Sequence, residues 1–506
     1  MRGRHFDVIV TGLGLPSLVA ASVLARRDFS VLLLGDGARP SSYYLDDWTL
    51  RRRSFSLAAG GRCPALRRAL AELSQSQAFG RKIRPREPLG LLLPGQRLEL
   101  GATERERAPE LAREAPELAR VVEDLAERLA ELDAALDERL SGDVTIPPGT
   151  FFERRRVDLA LATLPARTSD PLDELPPYHP LRGALRDAAR FAAHAEGKLP
   201  GLAVARLLGS ILLRPIEFVG SEDDARQFFV DRLLAYGGVV LPDEEVASVL
   251  ADARGVRGAA LRGEVREVGA RFLVHRGTGE SLARASGGEG VLAAARRSWP
   301  EVTRGTPRFV TSVVVERVAL PELLPRESLF FATDPARTDP FRPPLLVQRS
   351  DDAPPGEALL IVEMLLPAEV RVEDARALTL SGLVGQLPFL ERRLRVVDSP
   401  HDGRPAWVYE GGQRRLVDRL RLKGGTVHAE PMETLVASDA SSFDGLAVEP
   451  VRGPIERTFL IGPSVLPTLG LEGELLAAES AASLITKADP NRRKMRIDLF
   501  GRVELG

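Results

Sequence analysis

Residues 6–37, FDVIVTGLGLPSLVAASVLARRDFSVLLLGDG, leave few folds open. Phe6 to Val10 is a short apolar run, Thr11 to Gly14 a glycine turn, Leu15 to Ala25 an alanine-rich apolar segment, and Ser30 to Leu34 a second apolar run. Neither run alternates polar with apolar residues, as strands buried on both faces do not, so the segment predicts a βαβ unit with parallel strands. Gly12, Gly14 and Ser17 form G-x-G-x-x-S. The first glycine permits a tight turn and the second lets a pyrophosphate approach the backbone. The small serine lets helix and strand pack closely, and the helix starting at Gly14 aims its dipole at the phosphates. A dinucleotide site is therefore predicted at Gly12, Gly14, Leu15 and Ser17. Its ribose carboxylate belongs about 20 residues after the glycines. Gly35 stands there, and Asp36 comes one residue late. One step along a strand turns a side chain to the other face, so Asp36 is either a displaced ribose ligand or a turn residue.

The rest of the composition narrows the class. A chain of 506 residues, 44% hydrophobic, is long enough for more than one domain. Lysine plus arginine at 69 against aspartate plus glutamate at 71 leaves a net charge of −2, which predicts no nucleic-acid partner. Cys63 is the only cysteine and there are six histidines, so neither a disulfide framework nor a multi-cysteine metal cluster is available. The opening MRGRHFDVIV carries Asp7 in its apolar run and has no small-residue cleavage site after it, so a cytoplasmic chain without a signal peptide is expected. The most apolar later stretch, Leu202 to Gly220, contains Arg206, Arg214 and Glu217 and falls short of the roughly 18 uncharged residues of a spanning helix. It predicts a buried helix leading into a strand, with peripheral membrane contact as the other reading.

Further along, Leu111, Leu118, Val122, Leu125, Leu129, Leu132, Leu136 and Leu140 recur at helical spacing among arginines and glutamates. Pro109 and Pro116 delimit or break this region, which predicts helices packed on a neighbouring domain, not a coiled coil. Ser221 with Asp224 opens a helix that a Gly237-Gly238 pair stops. Residues 305–440 read as strands with proline-rich connections, and 458–485 as strand, turn and a small-residue helix.

These segments together resemble a family. The glycine-turn unit, the middle segment VGSEDDARQFFVDRLLAYGGVVLPDEEVASVLADARGVRGAALRG at 219–263, and the closing IGPSVLPTLGLEGELLAAESAA are similar to motifs of the flavoprotein superfamily of phytoene desaturases, amine oxidases, protoporphyrinogen oxidase and the GDP-dissociation inhibitors and Rab escort proteins. Residues 66–73 and 88–117 resemble phytoene-desaturase-like members in particular. The resemblance implies an α/β fold: a discontinuous Rossmann-like FAD-binding domain (1–75, 215–278 and 440–490), a second α+β substrate domain with a helical cap (76–214 and 279–439), and a tail at 491–506. It implies FAD as cofactor, Val246 beside the adenine, and Gly462, Gly470, Leu471 and Glu472 against the flavin. The activity implied is oxidation or desaturation of a hydrophobic small molecule.

The chain also departs from that pattern. The family's glutamate is replaced by Gly35, and residues 38–44 lack the Gly-Gly pair that follows it; the Gly-Gly-Arg at 60–62 lies too far on. Losing the ribose carboxylate removes one or two charge-assisted hydrogen bonds. A second reading is thus a flavin-free binding protein on the same scaffold, engaging a protein or lipid as the GDP-dissociation inhibitors do. A nicotinamide-only dehydrogenase is weaker because it leaves the closing motif unused.

Other chemistry is sparse. No G-x-S-x-G elbow is present. Cys63, between Arg62 and Pro64, reads as a small residue at a turn, with a thiol of lowered pKa as the other reading. His179 and His194 are acid–base candidates or structural histidines, and Trp407 and Tyr409 are flavin-face candidates or core. Arg51, Arg52 and Arg53 read as a solvated basic turn or a phosphate contact.

Overall fold

The computed structural model describes residues 5–489 apart from 58–62, 141–144, 162–168, 263–265, 288–289, 292, 294–296, 298, 337–338 and 351. The Gly-Gly-Arg at 60–62 and the tail 491–506 lie outside the described residues. The strand His5–Thr11 is central to the first sheet. It pairs in parallel with Val31–Leu34 on one side and Glu267–His275 on the other. Val239–Leu241 continues the parallel sheet beyond Val31–Leu34, and Thr458–Leu460 lies parallel beside Glu267–His275. The antiparallel strands Val246–Asp252 and Gly255–Leu261 complete it. One sheet is thus assembled from the start, middle and end of the chain. Its central strands are apolar without alternation because helices cover them: Leu15–Arg26 packs between Glu222–Ala235 and Gly470–Ala488. Alanines on the facing helices, such as Ala20, Ala21, Ala477 and Ala481, are buried and let the backbones approach.

The second sheet is mostly antiparallel. Its centre is the long strand Thr303–Glu316, paired with Glu357–Leu365 and Leu394–Asp398. Leu345–Ser350 and Glu327–Phe330 extend it to Leu89–Leu93 and Gln96–Leu100. This is the mixed, two-domain α/β architecture that the sequence predicts.

Local signals explain the helices that frame the cleft. Ser221 caps Glu222–Ala235 with a full capping box through Asp224, and Gly237 follows in the left-handed region at φ 78°. In the leucine-rich region Pro109 stays inside the helix Glu104–Glu114. The break falls at Ala115, which the following Pro116 holds out of the helical region at φ −152°. Leu125, Leu129, Leu132 and Leu136 of the helix Ala119–Leu140 are buried within this chain. Residues 201–218 form the helix Gly201–Leu208, a π turn at Gly209–Leu213 and the strand Ile216–Phe218, with Arg206 buried. No helix among the described residues is long and apolar enough to cross a membrane.

Candidate functional site

A cavity of about 510 Å³ lies between the sheets. From the first sheet it is lined by Gly12, Gly14, Gly35, Asp36, His275 and Arg276; from the second by Arg308, Val310, Leu329, Leu346, Gln348 and Glu363. Loops and the cap add Arg52, Arg53, Phe191, His194 and Glu433, and the helix Gly470–Ala488 adds Leu471.

The glycine turn forms as expected. Gly12 adopts φ +84°, where a side chain is strained, and its N–H donates to the Leu34 carbonyl at 2.9 Å. The buried Ser17 hydroxyl donates to the Thr11 carbonyl at 3.0 Å, fastening helix to strand. Ser17 and the buried Leu15 therefore serve packing and are absent from the cavity lining. What covers the turn follows from strand register. Val10 pairs with Val274, so His275 and Arg276 leave the sheet beside Gly12. The Arg276 side chain lies across the glycines: a Cβ placed on Gly14 would stand 2.8 Å from Arg276 Nε and 3.0 Å from its Cζ. Arg276 Nε in turn donates to Glu474 at 3.1 Å, and His194 Nε2 lies 3.1 Å from the other oxygen of that buried carboxylate. Glu474 alone raises the guanidinium more than burial lowers it.

At the ribose end, a Cβ on Gly35 would stand 1.7 Å from the Pro242 carbonyl oxygen, so residue 35 has no room for any side chain. Backbone bonds stitch this turn to the loop before Val246: Gly35 N–H donates to Leu241 O and Asp36 N–H to Glu244 O, both at 2.9 Å. Asp36 sits at φ 51°, and its Oδ1 accepts the Val246 N–H at 3.2 Å. Asp36 is thus a turn residue that takes up the backbone donor expected for adenine, although it still borders the cavity.

The closing motif is similarly engaged. Cβ atoms on Gly470 and Gly462 would stand 2.0 Å from Ala192 O and 2.7 Å from Arg276 O, so both glycines accommodate neighbouring backbone. Glu472 is buried and bidentate to Arg206, with both contacts at 2.7 Å. Arg206 also binds Asp133 and Asp137. Of the four closing-motif candidates only Leu471 lines the cavity. FAD needs an open glycine turn, a ribose acceptor, a free adenine donor and an open helix N-terminus. Arg276, Pro242 and Asp36 take the first three places, so the glycine-turn and ribose ends as arranged do not fit the dinucleotide.

The remaining candidates are structural. His179 Nδ1 caps the helix Pro180–Ala192 by accepting the Leu181 N–H at 3.1 Å. Cys63 is buried, which pushes its thiol up and leaves it unreactive. Trp407 and Tyr409 pack against the second sheet's core, and Trp407 stacks under Arg376 and Arg414. Arg51, Arg52 and Arg53 are not a solvated turn. Arg51 pairs with Asp352, Arg52 with Glu430 and Arg53 with Glu222, and the first two side chains are buried. His275, which the sequence reading passed over, lies 3.0 Å from both Thr11 Oγ1 and Ser281 Oγ. The Arg276 N–H donates to Thr11 Oγ1 and Ser281 Oγ donates to Thr278 O. A single run of donors, from Arg276 N through Thr11, His275 and Ser281 to Thr278 O, satisfies every member without an activated serine. Among the described residues no group of three or more His, Cys, Asp or Glu side chains could hold a metal ion.

Neither a family model nor a curated protein matches the sequence. Solved structures match the fold. A putrescine oxidase structure, described as a redesign of cofactor binding, superposes with a TM-score of 0.56 at 15% identity, covering 96% of this chain and all of the other. An oxidoreductase from Methanosarcina mazei gives 0.55 at 14% identity, over 94% and 99% of the two chains. Cyclohexylamine oxidase from Brevibacterium oxydans gives 0.53 at 14% identity, over 95% and 98%. The chain shares the fold of these oxidoreductases.

Proposed function

We propose that this protein is a flavin-free member of that scaffold, binding a small molecule in the cleft between its sheets. One observation carries the reading: Arg276 lies over Gly12 and Gly14 and is held there by Glu474. A fold likeness does not transmit a cofactor, because sites diverge on a retained scaffold. The visible spectrum of the purified protein tests the reading. No flavin band is expected as isolated, and none after incubation with FAD and gel filtration. A band at one flavin per chain overturns it.

A second reading is favoured by the cavity lining, which still includes Gly12, Gly14 and Leu471. On it the protein is an FAD-dependent oxidoreductase of a hydrophobic small molecule, and Arg276 swings off Glu474 when the cofactor enters. The same spectrum decides between the two.

A further inference from the structure

On the second sheet's side of the cleft the charged groups are unequally satisfied. Arg52 pairs with Glu430 at 2.7 Å and Arg308 with Glu363. Glu433 differs. Its carboxylate comes within 3.6 Å of Arg53 Nη1, beyond hydrogen-bond reach, and its side chain is 53% accessible. Arg53 is held through Nε by Glu222, while its buried Nη2 has no hydrogen-bond partner among the described residues. One carboxylate and one guanidinium nitrogen, neighbours in the same cavity, are therefore left without a hydrogen-bond partner among the described residues, although Arg53, Arg276, His194 and Arg308 all act on the carboxylate.

We propose that this cavity holds a compact zwitterion with an apolar side chain, an apolar α-amino acid or a close analogue, its ammonium on Glu433 and its carboxylate on Arg53. The assignment rests on the flavin-free reading and names the ligand of the same cleft. A ligand with only an ammonium leaves the buried Arg53 Nη2 without an acceptor, and one with only a carboxylate leaves Glu433 to solvent, so a zwitterion gains a bond that neither makes. An apolar side chain has walls to meet. The Glu433 carbonyl accepts the Arg308 N–H at 2.8 Å, and the Arg308 guanidinium donates to Phe191 O at 3.0 Å, which brings Phe191 to this end of the cleft. Val310, Leu329, Leu346 and Leu471 line the same cavity. Burial alone would raise the Glu433 carboxyl, but Arg53, Arg276, His194 and Arg308 outweigh it and hold it down to about 2, so the group is ionised when a cation arrives.

Calorimetry on the full chain tests this with L-phenylalanine, phenethylamine as the ammonium-only probe and 3-phenylpropionate as the carboxylate-only probe. L-phenylalanine is expected to bind once per chain, and each single-charge probe at least about tenfold more weakly. Glu433→Gln should remove the preference for L-phenylalanine over 3-phenylpropionate, and Arg53→Met the preference over phenethylamine. If Arg53→Met fails to fold, Glu433→Gln decides alone. No binding of L-phenylalanine or L-leucine at millimolar concentration overturns the proposal. So does equal affinity for either single-charge probe, or unchanged binding by Glu433→Gln. A flavin band in the same sample defeats the underlying reading; absent flavin with absent amino-acid binding defeats the ligand assignment alone.

Discussion

On the first sheet's side of the cleft Arg276 meets Glu474 at 3.1 Å, Asp36 takes the Val246 N–H, and the Pro242 carbonyl presses on Gly35. On the second sheet's side Glu433 stops 3.6 Å from Arg53, whose Nη2 has no acceptor among the described residues. Arginines and carboxylates stand on both sides; the hydrogen bonds that Arg276 and Asp36 make have no counterpart at Glu433 and Arg53 Nη2. A wall whose polar groups bond one another gains little from a ligand and must break bonds to admit one. A wall with neighbouring unmet donor and acceptor gains from a ligand that meets both. On the proposed reading the ligand is held by Glu433 and Arg53 and not by the glycine turn.

The largest way to break it lies at Glu472, on the satisfied side. If its bidentate bond to Arg206 is structural, Glu472→Ala leaves the buried guanidinium with Asp133 and Asp137 alone and should cost about 2–3 kcal/mol in chemical denaturation. Unchanged stability with altered ligand affinity would instead return Glu472 to the site. Gly35→Ala comes next. A methyl group directed at a backbone oxygen 1.7 Å away forces the 241–246 loop to move, at a cost of roughly 1–3 kcal/mol. A melting temperature equal to wild type would mean that this loop yields easily and that the ribose end is open after all. Arg276→Ala sharpens the contrast with a smaller effect. Arg276 is partly exposed and Glu474 keeps His194, so about 1 kcal/mol is expected. FAD should still not bind, since Gly35 and the Asp36 bond to Val246 are untouched; flavin uptake by this variant would make Arg276 the sole barrier.

The sequence made the scaffold legible for a physical reason. Buried parallel strands, the glycine turn and the Ser221 capping box are local patterns, set by residues a few positions apart. Satisfaction of the cleft is not local. Arg276 reaches Gly14 because two strands more than 250 residues apart run in register, as Val10 opposite Val274 records. Counting to the end of Glu267–His275 would have flagged Arg276, since a residue leaving a strand parallel to the first emerges beside its turn. Gly35 was legible as a lost carboxylate; that Pro242 replaces it depends on a backbone path that no spacing encodes. Glu433 sits in a proline-flanked loop, EPME, without periodicity or motif, so its place in the cavity had no sequence signal.

The finest distinction between the two sides is in acid. Glu433 titrates near 2 in the folded chain and near 4.5 when unfolded. A depressed carboxyl stabilises the fold fully above its unfolded value, and that stabilisation is lost as pH falls from about 4.5 to about 2. Asp398, pushed up to about 6 by burial, works in the opposite sense, destabilising as pH rises from 3.8. It is the same in both proteins when wild type is compared with Glu433→Gln, so the difference isolates Glu433. The melting temperature of wild type should exceed that of Glu433→Gln at neutral pH, and the gap should close through the window from 4.5 down to 2. A gap independent of pH would mean that Glu433 acts by packing. A reversed gap would mean that Arg53, Arg276 and Arg308 are already neutralised by Glu222, Glu474 and Glu363, so that Glu433 adds an uncompensated charge to the cavity.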